Sequence, residues 1–194
     1  LKPDIFVDNH VSNGADYQYT LTYISSLREK IAPSLRKLMY GSMLPQLTQD
    51  LKAAKWDLFP YVETVKEIPD SGIYQFNDLP RYAMGYASLF NTLSFTVETH
   101  MLKPYKQRVE GTYELMASMI EIVEAESVQI KALRKDYFKK IFTQEKYTLD
   151  WQVDEDKSST LNFKGYEGEM IDSTVTNAQR LKYDRTKPFT KPTK

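Results

Sequence analysis

An α/β layer fold is the class this sequence predicts, and three observations predict it. Short apolar runs rich in β-formers, such as Ile5-Phe6-Val7 and Leu93-Ser94-Phe95-Thr96-Val97, alternate with stretches of helical period. Their order is strand, helix, strand, helix, which suits a sheet with helices layered on it. Neither Gly nor Pro occurs from Thr112 to Lys164, which leaves room for one long helix.

Taken in order, Asp4–Asp8 reads as a buried strand that stops at Asn9-His10, followed by turn residues from Ser12 to Asp16. Tyr17 to Tyr23 is extended or looped. Ser26 and Glu29 have capping-box spacing and are expected to open a helix carrying Leu27, Ile31, Leu35 and Leu38. Pro33 either kinks that helix or marks the first turn of the main one. A second periodic stretch runs from Met43 to Lys55, with a break at Gly41. Tyr61–Val65 is expected as a strand, Pro69–Gly72 as a turn and Tyr82–Phe90 as a helix. Leu93–Glu98 is expected as a strand ending on a charge. From Pro104 a helix should run to about Phe142, with Val109, Tyr113, Met116, Ile120 and Val123 as its apolar face, a pattern that persists through Ile130, Leu133, Tyr137 and Ile141. Tyr147–Val153 and Leu161–Tyr166 alternate as strands, and the chain from Thr174 is a polar tail. A boundary near residue 146 separates residues 1–145 from a β-rich appendage, or the start of a further domain, at 146–194.

The 194 residues carry 26 basic and 26 acidic side chains, so no large positive field draws nucleic acid or an anionic membrane. There is no cysteine, which excludes disulfides, thiolate metal sites and thiol catalysis. No apolar run is long enough to span a bilayer as a helix. The opening Leu1-Lys2-Pro3 lacks an initiator Met and leads straight into a strand. The expectation is of a piece cut from a longer protein, with any targeting segment upstream.

Functional groups of α/β sheets collect at the carboxyl ends of strands. Two strands here end on such groups, His10 after one and Glu98 after the other. The only other histidine is His100, which shares a strand face with Glu98 if that strand continues. A hydrolytic zinc site needs three protein ligands and an open position. No His-x-x-Glu or His-Glu-x-x-His pair occurs in the chain. From the residues alone, His10 reads as a hydrogen-bonded structural histidine or as a metal ligand. Glu98 likewise reads as an ion-paired or solvated carboxylate or as a catalytic one. A structural role is the better reading of His100.

Two segments resemble the zinc carboxypeptidases, in a divergent bacterial branch. Asp4-Ile5-Phe6-Val7-Asp8-Asn9-His10 is similar to the strand that delivers that family's third zinc ligand. Leu93-Ser94-Phe95-Thr96-Val97-Glu98 is similar to its later strand, apolar-Ser-Phe-Thr-apolar-Glu. The two occur in the family's order, and the likeness extends through His10–Tyr23 and Tyr82–Arg108 to cover about residues 1–145. The resemblance implies a partial carboxypeptidase-like mixed sheet flanked by helices. It implies His10 as a ligand of Zn2+ in the complete domain, and Glu98 as the general base and acid of peptide hydrolysis. It offers Tyr82, with Tyr86 as competitor, and Arg81 as contacts to a peptide substrate.

The departures matter as well. Val11 stands where Ser is common, and Thr99-His100-Met101 replaces Leu-Arg-Asp, so substrate specificity does not carry over. The first zinc motif and the substrate-binding arginines belong upstream, so the chain by itself is expected to be inactive and not to hold zinc. Export to the periplasm or outside is what the family suggests. Self-association through an exposed edge or apolar face is a further expectation. The alternative is a binding or scaffolding module that keeps the fold without the chemistry. An upstream His-x-x-Glu would favour the enzyme and its absence the module.

Overall fold

A computed structural model describes every residue except Leu1, Asn13, Lys66, Glu67, Pro69, Asp70 and Glu155. Two strands open the chain, β1 (Ile5–Ser12) and β2 (Leu21–Ser25). Helix α1 (Pro33–Leu38) passes through a π-helical turn, Met39–Met43, into α2 (Leu44–Ala53). Short strands β3 (Leu58–Pro60), β4 (Glu63–Thr64) and β5 (Ile73–Tyr74) precede α3 (Ala83–Ser88). Strand β6 (Leu93–His100) and the long α4 (Tyr105–Lys140) follow, and α4 ends in a 3₁₀ turn, Ile141–Thr143. A hairpin of β7 (Leu161–Asp172) and β8 (Gln179–Thr193) completes the chain.

The main sheet has the order β1-β6-β2-β3. It is mixed: β1 is parallel to β6, β2 antiparallel to β6, and β3 parallel to β2. The molecule is thus a mixed α/β fold with helices on a mixed sheet and a C-terminal pair of strands. Every residue of β6 is buried, as befits a central strand whose two faces are both covered. One face presents Ile5, Val7, Leu93, Phe95, Val97, Leu21 and Tyr23 to Leu35, Leu38, Leu47 and Leu51 of α1 and α2 and to Leu115, Met119 and Ile122 of α4. This is the principal core.

A second core forms where the hairpin docks. Phe163 of β7, with no exposed surface, meets Tyr17, Tyr19 and Phe59. Tyr19 stacks on Phe59 with centroids 4.4 Å apart. Gln18 clamps the hairpin from the backbone side: its side-chain amide Nε2 donates to the carbonyls of Gly165 and Phe189, both at 2.9 Å.

Several elements differ from expectation for identifiable reasons. Strand β1 runs on through Asn9 and His10 to Ser12, because β6 offers a partner that far; His10 lies within the strand, not after it. Likewise β6 continues past Glu98 to His100. Ser26 caps nothing: its hydroxyl accepts the Ser94 N–H at 2.9 Å, and the helix begins at Pro33, where the missing N–H costs nothing. Gly41 does not break the helix but sits in the π turn, and Pro45, with no N–H to give, follows directly. Of Tyr61–Val65 only Glu63–Thr64 is strand, as β4, and β3 ends just before it at Pro60. The expected turn at Pro69–Gly72 falls partly outside the described residues.

The long helix occurs as expected, with Ile130 buried and Met116, Val123, Leu133 and Tyr137 packed against the core, but the rest of its buried apolar stripe is Leu115, Met119 and Ile122. Val109, Tyr113 and Ile120 are exposed, on the flank of that stripe. Tyr147–Val153 makes no ladder; Trp151 instead donates from Nε1 to the Glu29 carbonyl at 3.2 Å. The polar tail is a strand, because β7 supplies its hydrogen bonds through a register shift at Tyr166/Glu167.

Candidate functional site

Side chains alternate across a strand, so the face opposite the principal core carries Asp8, His10 and Ser12 of β1 and Ser94, Thr96, Glu98 and His100 of β6. Thr22 of β2 stands beside Glu98 on that face. Ser94, Thr96, Glu98, His100 and Thr22 are all buried. A buried sheet face lined by polar groups is costly unless those groups are paired or used. Helix α3 covers part of it, with the Met84 sulfur 3.8 Å from the Thr96 hydroxyl.

The register places His10 directly opposite Glu98. Their side chains meet, with Nδ1 of His10 3.5 Å from Oε1 of Glu98. Nε2 of His10 lies 3.0 Å from Oδ2 of Asp8. The histidine thus bridges two carboxylates, half exposed itself, with Glu98 nine-tenths buried beneath it. Burial raises the Glu98 carboxyl above its ordinary value; His10 pulls the other way and Asp8 adds to the rise. Oε2 of Glu98 is buried with no hydrogen-bond partner among the described residues. One free oxygen and a raised proton affinity are what a carboxylate needs to accept and return a proton.

Tyrosines wall the site. The Tyr17 hydroxyl donates to Ser12 Oγ at 3.3 Å, and burial pushes that phenol up. Tyr61 is also raised, first by burial and then by the charge of Glu98.

His100 lies further along the same face and is used structurally. Its Nε2 is 2.9 Å from Oδ1 of Asp16, and Tyr17 packs on its ring with centroids 4.3 Å apart. With the proton on Nε2, Nδ1 is free to accept the Leu102 N–H, at 3.4 Å.

Arg81 and Tyr82 lie just before α3, with Tyr82 its N-cap. They engage each other: an Arg81 Nη2 donates to the Tyr82 hydroxyl at 2.7 Å, and Tyr82 packs edge-on to Phe76. No hydrogen bond or ion pair among the described residues ties either to His10 or Glu98. Tyr86 is exposed, edge-on to Phe90. Sequence reasoning missed Asp8 and Tyr17 as neighbours of the pair. Asp8 had a signal, since it stands two residues before His10 in the same strand. Tyr17 had none, because a loop brings it there.

No protein-family model matches this chain, and no curated protein or solved structure matches it either.

Proposed function

We propose that this chain contributes the acid–base half of a carboxypeptidase-type peptide hydrolase. The observation that supports the reading is His10 opposite Glu98 on paired parallel strands, with one Glu98 oxygen unpartnered. In this reading Glu98 takes a proton from the attacking water and returns it to the leaving amine, so the carboxylate ends as it began. His10 is the one zinc donor that the chain brings. Among the described residues no group of three or more His, Asp or Glu side chains could hold a metal ion, so the resemblance's zinc needs donors from elsewhere. Arg81 and Tyr82 are offered as contacts for a peptide carboxylate, Arg81 by a bidentate pair.

The test has two parts. The 194-residue chain by itself should show no tight stoichiometric zinc binding by calorimetry; tight binding would refute the half-site reading. In a protein carrying the remaining donors, Glu98→Gln should lower peptide hydrolysis on the order of 10³-fold with zinc retained. Unchanged hydrolysis would refute the role given to Glu98.

A further inference from the structure

Strand β1 is an edge of the main sheet, and no described strand pairs with its outer side. Its backbone polarity can be assigned. The Asp4 carbonyl accepts the Leu93 N–H, and the His10 carbonyl accepts the Thr99 hydroxyl. Even-numbered residues therefore turn their N–H and C=O groups toward β6. By alternation, Ile5, Val7, Asn9 and Val11 turn theirs outward. Such a row is a template for another strand unless something blunts it. There is no proline between Ile5 and Ser12, and no bulge in its pairing with β6.

We propose that this edge pairs antiparallel with the same edge of a second copy, about a two-fold axis at Asn9. A two-fold interface must be self-complementary, and the sequence of β1 is so in one register. With Asn9 opposite Asn9, the outward groups of Val7 meet those of Val11, and both pairs are hydrogen-bonded ones. Asp8 then faces His10 of the other copy, twice, as a non-hydrogen-bonded pair, where side chains approach most closely. The register centred on Asp8 would instead oppose two carboxylates. On the other face, Val7 meets Val11, which is otherwise 55% exposed.

The helical layer continues the same surface. The Asn9 amide reaches the Met116 sulfur at 3.8 Å, so α4 flanks the edge at the position of the axis. Beside Met116 on that flank lie Val109, Tyr113 and Ile120, all exposed and apolar. An antiparallel pair of α4 helices would cover them as the strands join. The partner's Asp8 also becomes a neighbour of His10, so each copy adds a carboxylate to the other's site. This inference does not depend on the hydrolytic reading.

Light scattering behind size exclusion should give twice 22.6 kDa at high micromolar concentration. Asn9→Pro removes an outward N–H and leaves the bonds to β6 intact, so it should weaken dimerisation by at least about tenfold without lowering Tm beyond the loss of the dimer. The chain has no cysteine, so Asn9→Cys should cross-link under mild oxidation, whereas Val175→Cys, at the exposed hairpin tip, should not. A monomer at all concentrations would overturn the proposal. So would a dimer indifferent to Asn9→Pro, or equal cross-linking at the two positions.

Discussion

Arg185, on the last strand, donates from Nε to Asp16 Oδ2 at 2.6 Å, across almost the whole length of the chain. The other Asp16 oxygen is held by His100. This carboxylate therefore ties the hairpin to the end of β6.

Asp16 sets how the hairpin responds to acid. Burial pushes its carboxyl up, but the hydrogen bonds from His100 and Arg185 outweigh burial and hold it below its ordinary 3.8. A depressed carboxylate stabilises the fold above 3.8, and the contribution is lost as pH falls through the lower, folded value. Arg185 is half exposed, so Arg185→Ala should cost only about 1 kcal/mol at pH 7. Urea melts should show that difference shrinking as the pH drops below 3.8.

Glu98 should behave in the opposite sense. Its folded affinity for a proton is raised, so stability falls as pH climbs from the ordinary 4.5 through the folded value. The ionised group thus costs stability at neutral pH. Glu98→Gln should raise Tm at pH 7 and leave it unchanged well below 4.5. Scanning calorimetry at the two pH values checks this. His10→Ala should raise the Glu98 titration midpoint further, as read by carboxyl NMR, because His10 lowers it.

Lys30 and Asp78 form a buried pair, 2.8 Å apart, with side chains 5% and 0% exposed. Burial holds the Asp78 carboxyl above its ordinary value despite that partner. Removing either member strands the other. Lys30→Met should cost about 3–5 kcal/mol at pH 7 and less in acid, where Asp78 takes a proton. The double replacement Lys30→Met with Asp78→Leu should cost less than the sum of the singles in denaturant melts.

Two glycines in helices should answer differently to alanine. A Cβ on Gly85 would run into the backbone carbonyls of Asp78 and Leu79, which cannot swing aside. Gly85→Ala should cost about 3 kcal/mol. A Cβ on Gly111 would only touch the Trp56 ring at 3.4 Å. There the gain in helix propensity, up to about 1 kcal/mol, offsets the contact, and Tm should hold or rise.

His10 and Glu98 could be picked out because each sits in a local run of β-formers with its own period. That they face each other is a matter of register, and register belongs to no single segment. The polar stripe Ser94, Thr96, Glu98, His100 was legible as alternation; its burial was not, since α3 and the Tyr17 loop cover it from elsewhere. Val109, Tyr113 and Ile120 misled because a long helix carries more apolar residues than its core contact uses. β8 was illegible for a different reason. Pro188 and Pro192 and a run of charges argue against a strand, and only the ladder to β7 overrides them.

The second core has a consequence for how the chain comes into being. Tyr17, Tyr19 and Phe59 are synthesised well ahead of Phe163 and Phe189, which close over them. Contacts so distant in sequence form slowly and late. The first aromatic cluster is therefore uncovered while the intervening chain is made, and a chaperone that binds such clusters can act in that interval.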